Sequence, residues 1–154
     1  MASGSVEVKG LKELERALLE LPKKLATQAL TRGLLSGAKL VVDDAKRRAP
    51  LLTGELRRNI RAIPNRRDKR YAATVDIGVR KLTKKQLRKL RMKASRANAS
   101  DPFYWRFLEF GTSRMRARPF LRPAFEAKKV EAALRIGESI RERLKKIAND
   151  KGAR

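Results

Sequence analysis

Glu109 is the residue whose surroundings could tune it for acid–base chemistry. It lies in FYWRFLEFG, beside Arg106, Phe107, Leu108 and Phe110. A carboxylate in such a setting could serve as a buried acid. It could equally form a structural or intersubunit ion pair, because arginine offers a carboxylate two parallel donors. The excess of arginine in this chain favours the pair. Asp76 is the second carboxylate that a small hydrolase would recruit. Asp43 and Asp44 are the adjacent acidic pair, but neighbours on a helix point apart. Beside Lys46 and Arg47 they read as solvated helix surface, not as a metal site.

The wider composition argues against catalysis. Among 154 residues there is no histidine and no cysteine. Both the commonest general base and the commonest metal ligands are therefore missing. Serine and threonine lack a legible base partner, and the glycines form no phosphate-cradling loop. The expectation is a non-enzymatic protein with no cofactor and no metal. The absence of cysteine also fits a cytosolic product. MASGSVEVKG lacks the basic and apolar pattern of a signal peptide. No apolar run is long enough to predict a membrane span.

Charge is the strongest compositional fact. Lysine and arginine number 40 against 16 acidic residues, a net charge of +24. Such a field attracts polyanions, and nucleic acid is their usual form. From Arg80 to Ser100 there are nine basic residues and no acidic one. Lys81, Lys84, Lys85, Arg88, Lys89, Arg91, Lys93 and Arg96 are candidate contacts to DNA phosphates or to an acidic partner protein. No aromatic residue is interleaved there, so base stacking is not expected.

The elements that must carry these groups follow from periodicity. Leu11, Leu14, Leu18 and Leu21 mark one face of a short helix. Pro22 opens a second, expected over about Lys23 to Ala49, with a stripe of Leu30, Leu34, Ala38, Val41, Ala45 and Ala49. Gly33 and Gly37 lie inside it, where each costs roughly 1 kcal/mol against alanine; their spacing allows another element to approach closely. Pro50 ends that helix, and Thr53-Gly54 signals a turn. Two strands are expected, Glu55 to Ile63 and Tyr71 to Val79, the second alternating cleanly. A short basic helix is expected over Thr83 to Ala94. Asp101-Pro102 reads as a cap and first turn of an aromatic helix ending at Phe110, with Gly111 after it, although Phe103, Trp105 and Phe107 also alternate as in a strand. TSRMRAR reads as an extended connection offering a third strand. Pro119 or Pro123 opens a last helix to about Asn149, with a stripe of Ala133, Ile136, Ile140, Leu144 and Ile147. The fold class is α+β: a small antiparallel sheet packed with a long amino-terminal and a long carboxy-terminal helix. The whole chain, 1–154, reads as one domain with a basic insertion at about 80–100.

Five of the eight aromatic residues fall between Phe103 and Phe110. That density suits a core cluster or an interface anchor. Arg114, Arg116, Arg118 and Arg122 follow, able to line a pore or pair across subunits, and the first three are further candidates to face DNA or an acidic partner. Three segments, GLKELERALLELPKKLATQAL, AKRRAPLLTGELRRNI and FLEFGTSRMRARPFLRPAFE, together resemble the small head–tail joining or tail-component proteins of long-tailed, lambdoid-like double-stranded DNA phages. The third carries the more specific signature. The resemblance implies a non-catalytic subunit of a ring in the neck or upper tail, surrounding the DNA channel. It implies copies of the same chain, head-completion or connector proteins, and tail-tube or tail-terminator proteins as partners. Double-stranded DNA would pass through without sequence preference and no membrane would be involved. The protein would reside in the virion after assembly in the host cytoplasm. Phe107, Leu108, Glu109, Phe110, Gly111, Thr112, Pro119, Phe120, Leu121, Arg122 and Pro123 would be signature or subunit-interface residues. The rival is a stand-alone, sequence-independent nucleic-acid-binding protein.

Overall fold

The computed structural model describes residues 10–51, 54–65, 72–81, 83–85, 88 and 104–152. Its elements are α1 (Leu11–Leu19), α2 (Lys23–Arg48), α3 (Glu55–Asn59), β1 (Ile60–Pro64), β2 (Val75–Val79), α4 (Trp105–Phe110) and α5 (Leu121–Gly152). Long helices at either end of the chain and a two-stranded antiparallel sheet make the fold α+β.

Local chemistry sets most boundaries. Gly10 enters α1 in the left-handed conformation, which glycine adopts without steric penalty. Leu14 is buried, but Leu11 at the helix start is exposed. Leu21 falls in the turn after α1, where its amide bonds to the Leu18 carbonyl at 3.3 Å. The helix from Lys23 stops at Arg48, just before Ala49-Pro50.

The strand expected over Glu55 to Ile63 begins five residues late, because Glu55–Asn59 is helical. Gly54 opens this turn at φ 75°. Leu56 and Ile60 are both buried, and their four-residue step is a helical spacing. Asn59 Nδ2 donates to the Glu55 carbonyl at 2.8 Å and closes the turn. The second strand is also shorter than expected, starting at Val75; Tyr71 lies outside the described residues. The hairpin register sets Asn59 opposite Arg80 and Asn65 opposite Thr74, each pair joined by a 2.8 Å backbone bond.

The chain packs as two compact units. The first contains residues 1–40, 63–76 and 128–154. Its buried apolar side chains include Leu14, Ala29, Ala38, Ala132 and Ile140. Here α2 and α5 run antiparallel at close range. A Cβ on Gly37 would lie 2.5 Å from Ile136 Cγ1 and 2.6 Å from the Ala132 carbonyl, and a Cβ on Gly33 would collide with Ile140 Cγ1. The two glycines are thus the contact surface, which offsets their low helix propensity.

The second unit contains residues 41–62 and 77–127. Val41, Val42, Ala45, Ala49, Leu56, Ile60, Phe120 and Ala124 form its core. Asp44 corrects the expectation of a solvated acidic pair: Asp43 is exposed, but Asp44 is buried. It accepts from Arg48 Nε at 2.6 Å and Arg47 Nη2 at 2.8 Å. Arg57 Nε donates to the Ala49 carbonyl at 2.9 Å, satisfying an orphan acceptor beyond the end of α2.

Candidate functional site

The FLEFG…RPFLRPA block folds as a helix, a tight return and a second helix. The return is built on Gly111, at φ 75° and ψ −178°. A Cβ there would sit 2.9 Å from the Met115 carbonyl and 3.0 Å from the Ala117 amide. Both conformation and space therefore demand glycine. Thr112 and Met115 close an isolated antiparallel bridge, and the Arg118 amide bonds to the Leu108 carbonyl at 2.7 Å. In the segment expected as an extended connection or third strand, residues 112–115 form a turn closed by that bridge, and residues 116–118 connect it to the next helix without forming a strand. The aromatic segment is helical where described, from Trp105 to Phe110; Asp101, Pro102 and Phe103 lie outside the described residues.

Glu109 is buried at 8% exposure, and within the chain its partners are backbone amides, which corrects the expectation of a structural pair with an arginine side chain. Its Oε2 accepts from the Phe120 amide at 2.8 Å and the Leu121 amide at 3.0 Å, and its Oε1 accepts from the Arg122 amide at 2.9 Å. The carboxylate thus caps α5 from a distant part of the chain. The next residue, Pro123, has no N–H to satisfy, and Ala124 makes the first backbone bond, to Phe120, at 3.4 Å. Every exposed donor of the first turn has a partner, and the negative charge lies against the positive end of the helix dipole.

This latch fixes which signature side chains face inward. Phe120 is fully buried, while Leu108, Leu121 and Pro123 are half-buried. Phe107 and Phe110 remain 46% and 77% exposed on α4. Phe125, 51% exposed, and Met115 are large apolar side chains on the surface of the same unit. Sequence reasoning did not single out these two; their signal was position just beyond the signature residues. Thr112, Arg114, Arg116, Arg118, Pro119 and Arg122 are exposed. Of the basic stretch, Lys81, Lys84, Lys85 and Arg88 are exposed. Lys89, Arg91, Lys93 and Arg96, and most of the helix expected over Thr83 to Ala94, lie outside the described residues.

No group of His, Cys, Asp or Glu able to hold a metal occurs among the described residues. Among them, too, no helix is long and apolar enough to cross a membrane. The other hydrolase candidate, Asp76, accepts from Asn65 Nδ2 at 2.9 Å beside the hairpin turn. Each candidate acid thus has a structural hydrogen-bond partner.

A family model described as "Bacteriophage HK97-gp10, putative tail-component" matches residues 12–111. The chain belongs to this HK97-gp10-like family. The matched residues run from α1 through α4 to the left-handed Gly111 and include Glu109. Membership makes the chain a phage tail component, a structural part of the virion. No curated protein and no solved structure matches.

Proposed function

We propose that the chain is a structural subunit of an oligomeric ring in the neck or upper tail of a tailed phage, joining head to tail around the DNA channel. The whole chain serves as one head–tail joining domain, with a basic insertion at about 80–100. Its partners are copies of itself, the adjoining head-completion or connector proteins, and the tail-tube or tail-terminator proteins. Assembly takes place in the host cytoplasm.

The observation that carries this reading is the exposed aromatic pair on α4. Phe110 is largely exposed and Phe107 partly so, on a helix followed by the Gly111 return, with Glu109 beside them fastened to the first turn of α5. Rigid, exposed aromatic anchors with arginine nearby are the composition of interface hot spots. Family membership supplies the setting.

The net charge of +24 favours a second reading, a stand-alone protein that binds nucleic acid without sequence preference. Light scattering on nuclease-treated protein at low and high salt separates the two. A discrete multimer that survives high salt is expected for the ring. A monomer at all salts, with tight and salt-sensitive DNA binding, supports the alternative.

A further inference from the structure

We infer that a cleft between α2 and α5, lined by Arg32, Ser139, Glu142, Arg143 and Lys146, binds the phosphate backbone of double-stranded DNA. The cleft has a volume of about 180 Å³ and lies wholly within the first compact unit. This deepens the DNA-channel part of the proposed function, on which it rests.

Spacing explains how these groups meet. Residues 139, 142, 143 and 146 recur at three, four and seven positions, one face of α5. The glycine contacts at Gly33–Ile140 and Gly37–Ile136 set α2 antiparallel beside it, which brings Arg32 to that face. Two other cations of α5 are neutralised along the helix: Lys128 pairs with Glu131 at 2.5 Å and Arg135 with Glu138 at 3.4 Å. Among the described residues, Arg32, Arg143 and Lys146 make no ion pair, and neither does Glu142. Three cations and one carboxylate therefore share a concavity with a surplus of positive charge, whose mutual repulsion an incoming anion relieves.

The lining selects the kind of anion. It has two guanidinium forks, an ammonium and a hydroxyl, the donors that phosphate oxygens take. It has no aromatic or aliphatic side chain on which a base could stack or a protein anchor could pack. A repeating phosphodiester backbone matches it better than an acidic protein face. Glu142 repels the same phosphate and keeps the grip loose, as suits DNA that must slide past.

The test is fluorescence anisotropy of a labelled duplex across a salt series, using the full chain. Each phosphate contact contributes about 0.9 to the slope of log affinity against log salt. The variant R32Q/R143Q/K146Q is expected to lower that slope by about 2–3 and weaken binding at least ~10-fold at 0.1 M salt. E142Q is expected to tighten binding, and R32K/K146R, which keeps the charge, to leave the slope unchanged. In a K81Q/K84Q/K85Q background, which removes other candidate phosphate contacts, the cleft substitutions should still lower the slope by the same amount.

An unchanged slope in the R32Q/R143Q/K146Q variant overturns the inference. So does binding of inorganic phosphate that raises the melting temperature with no cleft-dependent effect on duplex DNA, which would make the site one for a free anion. Cleft-dependent binding of polyglutamate equal to that of DNA overturns it in favour of an acidic partner protein. The ring reading fails separately, if the unaltered protein stays monomeric in light scattering. If the multimer persists while the slope does not move, only the cleft assignment is lost.

Discussion

The carboxylate of Glu109 accepts the backbone N–H of Phe120, eleven residues further along the chain, at 2.8 Å. The same side chain takes the amides of Leu121 and Arg122, so the last turn of α4 caps the first turn of α5. A residue that sequence reasoning marks as a candidate acid or arginine partner is a helix cap made through tertiary structure.

Replacing Glu109 with alanine leaves three amides at a buried helix end without an acceptor. The loss is expected to be about 2 kcal/mol, or roughly 4–8 °C in melting temperature for a chain of this size. Glu109→Gln keeps an acceptor oxygen but loses the charge, and should cost about half as much. Thermal melts followed by circular dichroism check both. Equal stability of all three proteins would remove the capping role.

Gly37→Ala gains roughly 1 kcal/mol of helix propensity but drives a methyl group into the Ala132 carbonyl. Backbone cannot rotate away, so a net loss of about 1–3 kcal/mol is expected. At Gly33 the obstacle is the Ile140 side chain. Gly33→Ala should therefore be partly rescued by Ile140→Ala, whereas Gly37→Ala should not. Urea denaturation of the single and double variants measures the coupling.

Asp44 gives the fold an acid-sensitive point. Hydrogen bonds from Arg48 and then Arg47 hold its carboxyl below the ordinary value of 3.8, against the opposing effect of desolvation. A folded value below the unfolded one means that the stabilisation is fully present above about pH 4 and is lost as pH falls through the folded value. Asp44→Asn should flatten the acid limb of stability against pH and leave its shape near neutrality unchanged. Equilibrium unfolding between pH 2 and 7 tests this; an unaltered acid limb would contradict it.

Phe110 is 77% exposed, so Phe110→Ser should change the stability of the isolated fold by no more than about 0.5 kcal/mol. If the α4 face is the contact between copies, the same substitution dissociates the multimer. Light scattering beside a thermal melt reads the two effects separately. A variant that assembles normally would shift the interface away from α4.

Much of this architecture was legible because it is written locally. Pro50 and Gly111 mark the ends of helices, through a restricted residue before proline and a left-handed glycine. The long helices were found from their stripes, and the hairpin from its alternation. Leu56, Ile60 and Ala62 can share one side of a strand, but the four-residue step between Leu56 and Ile60 is equally a helical spacing, and Glu55–Asn59 folds as a helix. The cleft cations on α5 showed their spacing in sequence, but Arg32 joins them only across the two helices.

By itself the sequence determined the charge of the chain, the helical periods, the breakpoints and the motifs of its phage family. Tertiary structure alone decided that Asp44 is buried with two arginines, that Glu109 meets backbone amides, and that Phe120 turns inward while Phe110 stays in water. The physical reason is range. Periodicity and turn chemistry act over a few neighbouring residues, whereas burial and hydrogen-bond partnership depend on which distant segments close upon one another.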